Sequence, residues 1–72
     1  MITLKSNYSR NLEILKENIK RGMSFDQVKN TINSQEKQFI SSSLYKQDEK
    51  DYINEMRSVM INSFTSLKVA IL

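Results

Sequence analysis

Residues 22–28 read GMSFDQV, and this stretch marks where one helix ends and the next one begins. Gly22 is the only glycine of the chain. A glycine just after a helix readily takes the left-handed conformation that closes the last turn. Ser24 is a good N-cap residue, and Gln27, three residues later, completes a capping box. The stretch therefore predicts two helices joined by a short turn at Gly22.

The helix before Gly22 is predicted to span residues 7–21. Its apolar residues recur at spacings of three and four, which places them on one face of a helix; they are Tyr8, Leu12, Leu15 and Ile19. The start offers three candidate caps, Ser6, Asn7 and Ser9. At the end, Lys20 and Arg21 suit the negative end of the helix dipole.

The helix after Ser24 is predicted to be short, over residues 25–33. Asn33 and Ser34 favour caps and turns over helix interiors, because their side chains compete for backbone hydrogen bonds. We therefore expect a break at these two residues, with Ser34 capping a third segment. That segment carries Phe39, Ile40 and Leu44.

The last helix is predicted to begin with Asp48 as its cap and to carry a broad apolar stripe. The stripe consists of Tyr52, Met56, Val59, Met60, Phe64, Leu67 and Ile71. No proline or glycine separates this helix from the segment before it, so the two could also form one bent helix. The expected fold is all-α, a small compact bundle of three to four helices with a long C-terminal helix. We expect residues 1–72 to form a single domain.

The residue types that are missing exclude most catalytic chemistry. The 72-residue chain has no cysteine and no histidine, which removes thiolate metal ligands and the most common partner of a nucleophile. One glycine cannot build a glycine-rich phosphate loop. We therefore expect no enzyme, no catalytic residues, no metal site, no cofactor and no small-molecule substrate.

The hydropathy pattern predicts a soluble cytoplasmic protein. Residues 1–15 lack the apolar stretch of a signal peptide, and no 18-residue apolar run is available to cross a membrane. The small size and the abundance of Asn, Ser, Lys and Ile are typical of small proteins from bacteria or their phages. That interpretation of the source rests on composition alone.

A protein partner is the expected target of this chain. A chain of this length has a thin core and usually needs a disulfide, a metal or an associated chain for stability. The apolar arc of the last helix is wider than one neighbouring helix pair requires, and exposed apolar patches mark interfaces. The predicted partner-binding residues are Ile53, Ile61, Phe64, Val69 and Leu72, with Lys20 and Arg21 as a basic rim. We expect a homodimer or a small regulatory or inhibitory adaptor that covers a surface of its target.

A DNA-binding regulator is the alternative. Residues 24–44 have about the dimensions of a helix-turn-helix, and the net charge of +3 lies in the N-terminal half, which could supply phosphate contacts. Against it, Lys29 stands where a small residue normally lets the two helices cross. The second helix of the motif would hold one base, Lys37. Nucleic acid is therefore the less favoured partner.

Overall fold

Three α-helices make up the structure: α1 at Ser6–Lys20, α2 at Phe25–Ser41 and α3 at Gln47–Ile71. The structure is a computed structural model that describes the backbone of residues 4–71 and the side chains of residues 4–65. Over these residues it contains no β-strand. The predicted all-α class is confirmed, with three helices.

The turn between α1 and α2 forms as the sequence predicts. Gly22 has a φ of +112°, and the Met23 N–H donates a 3.0 Å hydrogen bond to the Asn18 carbonyl oxygen, as in a Schellman motif. The Gln27 N–H donates to Ser24 Oγ at 3.2 Å, and the Ser24 N–H donates to Gln27 Oε1 at 3.0 Å. Both halves of the predicted capping box are therefore present.

The start of α1 differs from the prediction. Lys5 occupies the N-cap position without a side-chain capping bond, and the expected caps Ser6, Asn7 and Ser9 all lie inside the helix. The Lys5 ammonium lies 3.6 Å from the carboxylate of Glu49 in α3. The N-cap residue of α1 thus contacts α3, and the local sequence does not reveal such a contact.

The predicted break at Asn33 and Ser34 is wrong, because α2 runs through both residues. Val28, Ile32 and Phe39 are buried in α2, and one continuous helix keeps all three on the face that packs on α3. That packing outweighs the modest helix propensity of Asn and Ser. The alternative of one bent helix over the last two segments is also wrong, since α2 ends well before α3 begins.

The continuous α2 also removes the predicted helix-turn-helix. A helix-turn-helix in residues 24–44 requires a turn near Asn33, and the structure has helix there. The turn instead follows Ser41, where Ser43 takes a left-handed φ of 57°. The helix-turn-helix prediction for this segment is therefore wrong.

The start of α3 lies slightly earlier than predicted. The Lys50 N–H donates to the Lys46 carbonyl oxygen at 2.9 Å, and α3 begins at Gln47. Asp48 therefore lies in the first turn, where its negative charge suits the helix dipole, and it is not the cap. The predicted cap position was wrong by two residues.

The core lies between the three helices and draws on each of them. Its buried apolar residues are Leu12, Leu15, Ile19, Val28, Ile32, Phe39, Tyr52, Ile53, Met56 and Met60. Tyr8, near the start of α1, contacts Phe39 near the end of α2 and stacks on Tyr52 near the start of α3. At the opposite end, Phe25 at the start of α2 lies beside Phe64 in the second half of α3.

Candidate protein-binding surface

Ile53, one of the predicted partner-binding residues, lies in the core and not at the surface. Its side chain is 0% exposed and belongs to the core, so it cannot contact a partner while the chain is folded. The physical reason is that α3 packs against both α1 and α2. This helix pair covers a wider arc of α3 than the prediction allowed, so the extra apolar width at Ile53 is buried within the chain itself. The prediction for Ile53 is wrong.

Ile61 and Phe64 remain at the surface, and Phe25 joins them. Ile61 is 56% exposed and Phe25 is 42% exposed, while Phe64 is partly buried. The rings of Phe25 and Phe64 meet edge to face, with their centroids 5.4 Å apart. Ile61 and Phe64 are neighbours on α3, because residues three apart share a helix face. We call Phe25, Ile61 and Phe64 the apolar surface.

Phe25 was absent from the predicted partner-binding residues. Its spacing in the sequence puts Phe25 on one helix face with Val28 and Ile32. The aromatic contact with Phe64 spans 39 positions of sequence, so no local spacing reveals it. A signal existed only in the residue type, since exposed aromatic residues are enriched at binding sites.

The predicted basic rim lies at the same end of the bundle as the apolar surface. Lys20 and Arg21 are exposed at the end of α1, and the short turn after them leads directly to Phe25. Val69 and Leu72, the remaining predicted partner-binding residues, fall outside the residues whose side chains the structure describes.

A groove of about 840 Å³ separates α1 from α3 beside this surface. It is lined by Ile19, Val59 and mostly polar residues of both helices, including Glu13, Lys16, Glu17, Lys20 and Glu55. Lys16 Nζ lies 3.2 Å from Glu13 Oε1. Three carboxylates among two ammonium groups would repel a phosphate, so the groove does not form an anion site.

A polar network ties α2 to α3 one helical turn before Ile61, because Arg57 lies four residues before Ile61 on the same face of α3. Arg57 Nη2 donates to Glu36 Oε1 at 2.8 Å, and Arg57 Nη1 donates to Glu36 Oε2 at 3.2 Å. The Tyr45 hydroxyl donates to Glu36 Oε2 at 2.7 Å. The Arg57 bond, followed by the Tyr45 bond, lowers the pKa of Glu36. Because these hydrogen bonds satisfy the Glu36 carboxylate, it stabilises the packing of α2 on α3 and is not available as a free base.

Two general features of the described residues bear on chemistry and location. Within residues 4–65, no three carboxylate-bearing or other potential metal-binding side chains come close enough to hold an ion. None of the helices, as far as the structure describes them, combines the length and hydropathy that a membrane crossing requires.

Comparisons of the chain with protein-family models, with curated proteins and with solved structures gave no match. The geometry of its own surface therefore provides the basis for a function.

Proposed function

We propose that this chain is a small regulatory or inhibitory protein that binds a protein partner through the apolar surface. The observation that carries the proposal is the exposure of Ile61 beside the Phe25–Phe64 aromatic pair. Grouped apolar side chains at a surface tend to mark interfaces. Aromatic residues are also enriched at their centres. The proposed role is binding and not catalysis.

The surroundings of the other exposed apolar residues favour this choice. Ile14 is 50% exposed on α1, but Arg10, Glu13, Glu17 and Arg21 line the same depression. Charged residues are depleted in the centres of interfaces because their burial is costly. The apolar surface instead combines exposed Ile61 with an aromatic contact, and the nearby charge of Arg57 is already paired with Glu36.

The proposed mechanism is occlusion of a surface that the target needs. Burying a large apolar side chain contributes on the order of 1.5–3 kcal/mol, so Phe25, Ile61 and Phe64 would supply the centre of the contact. Lys20 and Arg21 lie at the same end of the bundle and suit acidic residues at the edge of the target. Such edge charges raise the association rate more than the affinity.

A paired substitution tests the proposal. Ile61→Asp places a charge in the apolar surface, and Ile14→Asp makes the same change at a similar exposure on α1. Tagged protein expressed in its native host should capture a target with the wild type and with Ile14→Asp, but not with Ile61→Asp. Circular dichroism checks that both variants stay helical. Equal capture by both variants would show that the apolar surface does not bind the target.

The DNA-binding alternative has less support, because α2 runs through the predicted turn. Lys37 is also the only base in residues 34–44. We expect duplex DNA to show no gel shift at micromolar protein. A shift that weakens steeply with salt and disappears in Lys37→Glu would favour the alternative.

A further inference from the structure

The polar side-chain contacts that hold α1 to the other helices lie at one end of it. The Tyr8 hydroxyl donates to the Glu49 carboxylate at 2.6 Å. The ammonium of Lys5, the N-cap residue, lies 3.6 Å from the same carboxylate and 3.7 Å from that of Asp48. In the part of the chain that the structure describes, no other side-chain hydrogen bond or ion pair joins α1 to α2 or α3. We call Lys5, Tyr8 and Glu49 the latch.

Beyond the latch, α1 is held mainly by apolar packing on α3. Its buried residues are Leu12, Leu15 and Ile19, and it contacts α3 far more than it contacts α2. Beside its second half, the groove of about 840 Å³ separates α1 from α3. The chain then turns into α2 at Gly22, where nothing lies within 4 Å of an added Cβ. This turn can therefore act as a hinge without a clash.

The contact between α2 and α3 is better protected and has polar contacts of its own. The fully buried apolar side chains of the described residues are Val28, Ile32 and Ile53, and all three lie on α2 or α3. The two hydrogen bonds from Arg57 to Glu36 join these same helices and do not involve α1. The packing of α2 on α3 is thus fastened separately from the latch.

We infer that α1 is a strap that opens from α2 and α3 as a unit, with Gly22 as its hinge and the latch as the contact that keeps it closed. Parts of a protein with fewer buried contacts open at a lower free energy than global unfolding requires. The 15 residues of α1 lose their helix once released, because isolated helices shorter than about 12–15 residues are marginal in water.

Opening of the strap changes the surface that the chain presents. The Tyr8 ring stacks on Tyr52 of α3, with the two centroids 4.4 Å apart, so opening uncovers Tyr52 and the apolar face of α3 around it. Phe25, Ile61 and Phe64 belong to α2 and α3, which stay packed in the open chain. The inference therefore does not rest on the proposed function, since the apolar surface is the same in both states.

Hydrogen exchange of the backbone amides, followed by NMR in urea below the unfolding transition, tests the strap. The most protected amides of α1 should exchange at least about tenfold faster than those of α2, because opening α1 requires less free energy than global unfolding. Their exchange should also depend less steeply on urea, because opening α1 exposes less surface than unfolding the whole chain. Equal urea slopes for α1 and α2 would overturn the inference.

Two matched tyrosine variants test the latch in the same experiment. Tyr8→Phe removes a bond that is broken in both the open and the unfolded chain, so exchange should become at least about tenfold faster in all three helices. Tyr45→Phe removes the 2.7 Å bond to Glu36, which survives opening of α1, so exchange should become faster in α2 but not in α1.

Two results would contradict the strap and its latch. An equal increase in α1 and α2 with Tyr45→Phe would show that α1 opens only when the whole chain unfolds. Unchanged exchange of α1 in Tyr8→Phe would show that the latch does not hold it closed.

Discussion

The Tyr8 hydroxyl donates a 2.6 Å hydrogen bond to the carboxylate of Glu49 and so ties the start of α1 to the start of α3. Glu49 is only 5% exposed. The same carboxylate accepts the Lys46 N–H at 3.2 Å and lies 3.6 Å from the Lys5 ammonium. Two hydrogen-bond donors and one ammonium group, from the start of α1 and the turn before α3, thus converge on one buried acid, as burial of a charge requires.

Tyr8→Phe should lower the melting temperature by several degrees. The substitution leaves the ring in place but removes a donor from a buried carboxylate, and a charged group that loses a partner is destabilised. Tyr52→Phe is the matched control, because it removes a hydroxyl from the ring stacked on Tyr8 without changing Glu49. Equal melting temperatures for the two variants would show that the hydroxyl bond does not stabilise the fold.

Stability should fall in acid because two glutamates depend on their charge. The Tyr8 hydrogen bond lowers the pKa of Glu49, and the Arg57 hydrogen bond lowers the pKa of Glu36. A lowered pKa in the folded state means stability that is present above the ordinary glutamate pKa, about 4.3. It is lost as the pH falls through the folded-state value. Urea unfolding at a series of pH values measures this, and Tyr8→Phe should reduce the loss.

Stability should also fall in strong alkali, because the folded chain holds the Tyr8 proton more tightly than the unfolded chain does. The bond to Glu49 raises the pKa of Tyr8 from 10.0 to about 12. The unfolded chain then releases the Tyr8 proton at a lower pH than the folded chain does. The contribution of Tyr8 is complete below pH 10.0 and is lost as the pH rises towards 12. In the same urea series, Tyr8→Phe should lack this contribution, and an unchanged alkaline limb would contradict the assignment.

The features that could be predicted from the sequence are those with partners nearby in the chain. The capping box joins Ser24 to Gln27, and the Gly22 turn closes within five residues, so both are visible in a short stretch. Glu49 and Tyr8 are 41 positions apart, and no local pattern connects them. The break at Asn33 was wrong because packing on α3 decides between helix and turn there.

The error at Ile53 has a different origin. The apolar arc on α3 was predicted to be wider than one neighbouring helix pair requires, and the excess was assigned to a partner. The sequence does not show that both α1 and α2 supply those contacts. The same arc includes Ile61, which the two helices leave exposed. A surplus of apolar residues on a helix can therefore be predicted from spacing, while its division between core and surface depends on tertiary packing.

Ile53→Ala should lower the free energy of unfolding much more than Ile61→Ala, because Ile53 is buried and Ile61 is exposed. Removing most of a fully buried isoleucine typically costs about 2–5 kcal/mol, because the site keeps a cavity. An exposed position usually changes the free energy of unfolding by less than about 0.5 kcal/mol. Chemical denaturation of both variants measures the difference. Similar losses would show that Ile61 belongs to the core.

The turns after α1 and α2 have the same hydrogen-bond pattern but different residues at the left-handed position. The Leu44 N–H donates to the Phe39 carbonyl oxygen at 2.9 Å, as Met23 does to Asn18 after α1. Ser43, with a φ of 57°, stands where Gly22 stands in the first turn. A residue with a Cβ pays about 1–2 kcal/mol for this conformation, and glycine does not.

Ser43→Gly should therefore stabilise the fold by about 1 kcal/mol, which raises the melting temperature of a domain this small by about 4–8 °C. Gly22→Ala should have the opposite effect, and its cost comes from the backbone alone, because nothing lies within 4 Å of a Cβ added there. Ser43→Ala is the control for loss of the hydroxyl, since it keeps the Cβ and should bring no such gain. Calorimetry on the three variants measures these shifts, and a rise with Ser43→Ala equal to that with Ser43→Gly would place the strain in the hydroxyl and not in the backbone.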